Sequence, residues 1–368
     1  MTTEGGLHIR HHFIPFAACR HLSSLPGDLD DYERQAIHFC HHWLKGTAHF
    51  TFHTSGSTGT PKRIKLSRRL MAWSARNTLQ YFGLQKGDSL LVNMNIAFVG
   101  GAMMLVRAME GQLHAYVQAP SRLPLSEIPG KQFDFYAFVP MQLQSMLHEA
   151  PRLLASLKQA KGILIGGAPL SKHLEKQLLP LQARMVQTYG MTETASHVAL
   201  RPLGKPLYEA MPGVHFSCDK RQCLVVHTPH LPPLVTNDRV RLHDATHFEW
   251  LGRIDNVINS GGIKIQIEQV EEATARLLEE MSIRCPFFAT GIPDPLLGQK
   301  LVLVFPEKSL PKAAEEQLLQ ALRQRMEHYK APKAVLYQAY IPRSPSGKIL
   351  RQLLDDSPST DPQNKADH

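Results

Sequence analysis

The residues with the clearest chemical potential form one run, Thr54-Ser55-Gly56-Ser57-Thr58-Gly59-Thr60-Pro61-Lys62. Glycines let backbone N–H groups converge on an anion, the hydroxyls add donors, and Lys62 supplies charge, a combination suited to cradling a phosphate chain. The run follows a strand signal at 48–52 and precedes a helical period near 67–82, so it reads as a strand-to-helix loop. It is not a Walker loop. Counting from Gly56, Pro61 stands where the second glycine is required and Ile64 lies beyond Arg63.

Further short motifs follow in order. They are Gly166-Gly167-Ala168-Pro169, then Thr188-Tyr189-Gly190-Met191-Thr192-Glu193-Thr194, then Thr236-Asn237-Asp238, then Leu251-Gly252-Arg253-Ile254-Asp255. The last is Pro342-Arg343-Ser344-Pro345-Ser346-Gly347-Lys348. Together with the phosphate loop they resemble the adenylate-forming superfamily of acyl-CoA ligases, luciferases and peptide-synthetase adenylation domains. The likeness runs over roughly residues 50–351, and six motifs in one order exceed chance.

That resemblance implies an acid–thiol ligase that forms AMP. A carboxylate attacks the α-phosphate of ATP, pyrophosphate leaves, and the acyl-adenylate passes to a thiol. It implies that Thr54, Ser55, Gly56, Ser57, Thr58, Gly59 and Lys62 hold phosphates. Gly166, Gly167, Ala168, Pro169, Thr188, Tyr189, Gly190 and Met191 would flank the nucleotide. Glu193 would hold Mg²⁺, since a hard cation that keeps its waters needs few carboxylates. Thr192 would donate to the α-phosphate, and Asp238 and Arg253 would bind ribose. Lys348 would bridge carboxylate and phosphate oxygens as charge builds. Asp255 marks a hinge about which a small, mobile domain turns, presenting Gly262 and Lys264 for the coenzyme A step.

The wording of 258–264 and of Gly190–His197 is most like the short-form 2-succinylbenzoate–CoA ligases of menaquinone synthesis. Most acyl-CoA ligases carry a much longer leading region, whereas this chain reaches its phosphate loop by residue 54, so a reduced acid-binding domain is expected. The acid pocket is expected at Asn95, Phe98, Gly100, Gly101, Ser196 and His197. Four positions depart from the common pattern: Arg63 and Asn237 replace glycines, Asn256 replaces an aspartate, and 95–98 lacks a frequent histidine. Two other readings stay open. One is an adenylation enzyme for another aryl or acyl acid, or one loading an acyl-carrier protein; the other is a nucleotide binder without activity.

The elements that must position these groups are legible in outline. Strand signals at 90–92, 114–117, 135–139, 162–165 and 185–187 alternate with helical signals at 67–82, 141–157 and 171–179, the pattern of a mainly parallel sheet. Short strands at 223–227, 239–242 and 248–250 suggest a small β subdomain. A helix at 268–280, strands near 285–290 and 300–305, and a helix at 312–329 suggest a compact α+β unit. The expected fold is therefore α/β: a large N-terminal AMP-binding domain over 1–252, a small C-terminal domain over 253–354, and a disordered tail over 355–368.

With 43% apolar and 20% charged residues, the composition excludes wholesale disorder and fibrous repeats. No run approaches the ~18 apolar residues of a membrane span, and no secretory leader is evident, so cytoplasm is the expectation. Lys and Arg number 41 against 32 Asp and Glu, a net charge of +9 that favours anionic partners such as ATP and coenzyme A. The basic residues are scattered, which argues against nucleic acid. Five cysteines make no disulfide framework, and Cys218, Cys223, His215 and His227 are spaced poorly for zinc.

Overall fold

The computed structural model describes residues 4–22, 26–53, 62–343, 349–351 and 353. These divide into two compact units, one reaching Asn256 and one beginning at Val257.

The first unit opens with β1 (Gly6–Ile9), β2 (His12–Pro15) and α1 (Asp31–Leu44). All three lie outside the elements expected from sequence. The β1–β2 turn carries Arg10 at φ 53°, so it shows none of the Gly or Asn punctuation that marks most tight hairpins. Helix α1 has a legible start, because the Asp30 side chain accepts from Glu33 N–H while Glu33 accepts from Asp30 N–H. Next come β3 (His49–His53), β4 (Arg63–Ser67) and α2 (Arg68–Phe82). Strand β4 corrects the expected strand-to-helix loop. Residues 63–67 alternate outward and inward and pair antiparallel with β3 in a separate two-stranded sheet, so the glycine-rich run joins two strands.

The remaining elements of this unit are β5 (Ser89–Val92), α3 (Val99–Gly111), β6 (His114–Val117), β7 (Phe135–Phe138), α4 (Pro140–Glu149), β8 (Gly162–Ile165), α5 (Lys172–Leu178) and β9 (Met185–Gly190). After them come β10 (His197–Pro202), β11 (Tyr208–Ala210), β12 (His215–Cys218), β13 (Cys223–Thr228), β14 (Leu231–Leu242) and β15 (His247–Arg253). Among the described residues, thirteen strands form one sheet in the order β12-β13-β14-β15-β11-β10-β9-β8-β7-β5-β6-β1-β2. Strands β1, β6, β5, β7, β8 and β9 run parallel. Every residue of β7 and β8 is buried, as a sheet covered on both faces requires. The expected β subdomain is the antiparallel extension of this sheet, with β14 far longer than 239–242.

One expected helix is two elements. Residues 141–157 break at Ala150, because Pro151 has no N–H and its ring disfavours helical geometry in the residue before it. Residues 151–157 then form a 3₁₀ turn.

The second unit contains β16 (Val257–Ser260), β17 (Ile263–Gln266), α6 (Ile267–Glu280), β18 (Phe288–Asp294), β19 (Gly298–Pro306), α7 (Lys312–Arg325) and β20 (Ala334–Gln338). Its sheet runs β17-β16-β19-β18, with β20 parallel to β19. Ile258, Val270, Leu277, Leu303, Leu318 and Leu322 make its core. Helix α7 ends at Arg325, where Met326 turns extended, so Tyr329 stands exposed instead of prolonging the apolar face.

Candidate active site

In an open parallel sheet, ligands settle beyond the carboxyl ends of the strands, where neighbouring connections diverge. Here that point is β5, from which the chain proceeds to β6 on one side and to β7, β8 and β9 on the other. The segments leaving β5, β8 and β9 are Asn93–Phe98, Gly166–Pro169 and Met191–Glu193, the expected acid, adenine and magnesium segments. The topology thus brings together motifs separated by about a hundred positions.

Two glycines let these segments approach. A Cβ on Gly166 would stand 2.4 Å from Thr188 Oγ1, whose hydroxyl donates to Ile165 O. A Cβ on Gly190 would stand 2.3 Å from Ser196 O, so this close passage of β9 and β10 demands glycine. Between them, Met191 N–H donates to Thr194 Oγ1, folding Thr192–Thr194 into a 3₁₀ turn that ends on Ala195 at φ 62°. Thr192 and Glu193 are half-exposed on that turn. Glu193 makes no hydrogen bond or ion pair with another described residue, so its carboxylate suits a hard cation.

Asp238 is buried and well held. Tyr189 Oη donates to one carboxylate oxygen at 2.8 Å and Trp250 Nε1 to the other at 3.1 Å. Thr236 Oγ1 accepts from Asp238 N–H, and Arg253 Nη1 lies 3.8 Å from Oδ1. Each oxygen accepts one close donor and keeps a lone pair for another. Burial, then the neighbouring Asp238, pushes the Tyr189 phenol well above its usual range, which keeps it a donor. Arg253 also donates twice to Asp255, at 2.8 and 2.6 Å. Burial alone would raise Asp255; the Arg253 hydrogen bonds outweigh it and hold the carboxyl below its ordinary value.

The expected acid-pocket residues divide. Asn95 is exposed and accepts from Ala97 N–H, Phe98 caps α3, Gly100 is exposed and Gly101 is buried against the Met94 and Asn95 carbonyls. Ser196 and His197 belong to a directional chain. Arg107 Nη2 donates to Ser196 Oγ at 2.8 Å, so the Ser196 hydroxyl can donate to His197 Nδ1 at 3.3 Å. His197 then carries its proton on Nε2, which faces Thr78 Oγ1 at 3.1 Å, and Thr78 donates to Ser74 O. Burial first, then Arg107, pushes His197 well below its ordinary value and keeps the ring neutral.

Arg107, Trp250, Tyr189's link to Asp238 and the pair Glu175–Arg201 were not expected from sequence. The Arg201 guanidinium grips both Glu175 oxygens at 2.9 Å and fixes β10. A lone arginine inside the apolar run Ala102–Met109 was the available signal for Arg107.

Several expected residues belong to other elements. Gly261 and Gly262, at φ 59° and 82°, form the two-residue turn between β16 and β17, and exposed Lys264 follows on β17. Lys62 is exposed beside β4. Thr54, Ser55, Gly56, Ser57, Thr58, Gly59 and Lys348 lie outside the described residues, as does 355–368. His215 stacks on His227 across β12 and β13, and His227 Nε2 meets Ser217 Oγ. Among the described residues, only His11, His12 and Asp28 group closely enough to share a cation, at the exposed β1–β2 turn.

The model of the AMP-binding enzyme family matches residues 39–228. A solved acyl-CoA synthetase (AMP-forming)/AMP-acid ligase II-like protein from Dyadobacter fermentans is 38% identical, with TM-score 0.60, over 91% of this chain and 96% of that one. A 2-succinylbenzoate–CoA ligase of Geobacillus is 26% identical over 82% of this chain and 67% of its own length. An indoleacetate–CoA ligase of Aromatoleum aromaticum is 25% identical over 82% of this chain and 66% of its own. The chain spans about two thirds of the length of these curated relatives. It belongs to the AMP-binding enzyme family. Within that family it is an AMP-forming acid–thiol ligase of the adenylate-forming, ATP-dependent kind. Among the described residues no helix is long and apolar enough to cross a membrane.

Proposed function

We propose that this chain activates 2-succinylbenzoate as an acyl-adenylate and transfers it to coenzyme A. The observation that carries the nucleotide half is the Asp238 carboxylate, pinned by Tyr189 and Trp250 with one acceptor site left on each oxygen, a seat for two vicinal hydroxyls. Gly166–Pro169 and Thr188–Met191 flank the base, Thr192 donates to the α-phosphate, and Arg253 supports the sugar. The glycine-rich run with Lys62 holds the outer phosphates. Mg²⁺ would sit at Glu193, where it neutralises phosphate charge. Lys348 approaches as pentavalent charge builds, so it serves rate more than binding. The sequence domains 1–252 and 253–354 hinge at Asp255, and Gly262 with Lys264 serves the thioester step.

Support for the acid is the wording of 258–264 and 190–197 together with the 2-succinylbenzoate–CoA ligases among the relatives. The test is pyrophosphate release with ATP and Mg²⁺ for 2-succinylbenzoate, indoleacetate, benzoate and a medium-chain fatty acid, each with and without coenzyme A. 2-Succinylbenzoate should lead in kcat/KM by at least about 100-fold, because polar groups left unpaired by the wrong acid are costly. A faster indoleacetate would refute the acid and leave the adenylation chemistry standing. Turnover unaffected by coenzyme A would point to another thiol.

A further inference from the structure

Strand β14 is irregular at and just before Asp238. Its pairing with β13 sets Cys223 opposite Arg239 and Val225 opposite Val235, so Leu224 alone faces Thr236, Asn237 and Asp238 together. Pairing with β15 starts at Asp238, opposite Arg253. Among the described residues, neither neighbouring strand places a residue opposite Thr236 or Asn237. A bulge of this kind re-aims a side chain at the expense of ladder hydrogen bonds, and the backbone groups it strands must be satisfied in another way. Thr236 and Asp238 are buried, so bulk water is a poor substitute.

Arg221, in the turn between β12 and β13, supplies what the ladder omits. Nη2 donates to Thr236 O and Nη1 to Asn237 Oδ1, both at 3.1 Å, while Nε donates to Asp219 Oδ2 at 2.7 Å. Asp219 is itself fixed, since its Oδ1 accepts from the N–H groups of Arg221 and Cys223. The guanidinium therefore lies between a capped turn and the bulge. From there the order runs inward: Thr236 Oγ1 accepts from Asp238 N–H, and the Asp238 carboxylate is the one held by Tyr189 and Trp250. Asn237 matters because the glycine common at this position has no side-chain oxygen for Nη1. A half-exposed ion pair with Asp219 alone would contribute little. Two donors of one rigid plane on adjacent residues of the bulge fix a geometry that a flexible ammonium does not reproduce.

We propose that Arg221 is a positioning residue for nucleotide binding: through Thr236 and Asn237 it holds the bulge that aims Asp238 at the two ribose hydroxyls. Arg221 acts through the strand and not by contact with the nucleotide. This rests on the reading of Asp238 as the ribose seat and adds the group that sets its aim. With the guanidinium removed, the bulge relaxes, Asp238 loses its fixed direction, and a hydroxyl loses its advantage over hydrogen on the sugar.

The test is calorimetric binding of ATP, 2′-deoxy-ATP and 3′-deoxy-ATP, each with Mg²⁺, to the full chain and to R221M, R221K and N237G, with melting temperatures alongside. No acid is needed, so the outcome does not depend on which carboxylate is the substrate. The unaltered chain should bind ATP at least about tenfold more tightly than either deoxy analogue, because each hydroxyl donates to a charged acceptor. In R221M, ATP should weaken by about tenfold and the analogues by less than about threefold, so that the preference shrinks to within about threefold. R221K, which can make one of the two contacts, and N237G, which keeps the contact to Thr236 O, should fall between. An undiminished preference in R221M would overturn the positioning role and leave Asp238 as the ribose seat. A lack of preference in the unaltered chain would overturn the seat, and the positioning role with it. Should R221M fail to fold, R221K and N237G decide: full preference retained in both overturns the proposal, and a reduced preference in both at an unchanged melting temperature upholds it.

Discussion

At the scale of single residues, the Arg107–Ser196–His197 chain is governed by which groups may carry charge. Arg107 stays cationic under burial, and its proximity, after burial itself, keeps His197 neutral. A histidine whose native value is depressed contributes stability that is complete above its unfolded value near 6.5. That contribution is lost as pH falls through the native value. Each pH unit below about 6.5 costs about 1.4 kcal/mol until the native value is reached. His197→Gln keeps an acceptor for Ser196 and a donor for Thr78 but cannot titrate. Between pH 7 and 5.5, urea denaturation should therefore show the unaltered chain losing more stability than H197Q, by up to about 1.4 kcal/mol. Equal losses in the two proteins would show that His197 does not bind its proton weakly. Asp238, by contrast, is held by neutral donors, Tyr189 and Trp250.

At the scale of elements, the site depends on how closely β8 and β9 approach. Gly166→Ala places a methyl against Thr188 Oγ1, and overpacking of this kind costs about 1–3 kcal/mol. Thr188→Ala sacrifices one hydrogen bond, about 1 kcal/mol, but clears the space. The double variant should thus be more stable than G166A alone, a coupling measurable by denaturant midpoints; simple additivity would show that the strands part without strain. The same closeness explains what was legible beforehand. Parallel strands buried on both faces, such as Phe135–Phe138 and Gly162–Ile165, announce themselves as apolar runs, and the motif glycines are where backbones must touch. What stayed hidden depends on partners far away in sequence. Strand β4 is recognisable only beside β3, β14 is extended by its neighbours past two prolines, and Arg107 acquires meaning only when Ser196 folds against it.

At the scale of the whole molecule, the proposed reaction would take ATP and then coenzyme A, both polyanions, and a net charge of +9 suits them. The proposed two-step reaction asks one chain to present two sets of groups in turn, and the division between Asn256 and Val257 follows the 3₁₀ turn Ile254–Asn256. Asp255 sits in that turn, bound by its side chain to Arg253. Asp255→Pro fixes φ there and drives Ile254 out of helical geometry. It also deletes the ion pair, so Asp255→Ala is the control that removes the carboxylate while leaving the backbone free. If the turn is the hinge, D255A should slow adenylation and thioester formation alike, by less than about tenfold. D255P should slow one of them at least about tenfold more than the other, because one orientation is favoured. Pyrophosphate release reports the first step, and single-turnover transfer from pre-formed acyl-adenylate to coenzyme A reports the second. Should D255P match D255A in both steps, the backbone at Asp255 is no pivot, and the second step must be reached by motion elsewhere or by none.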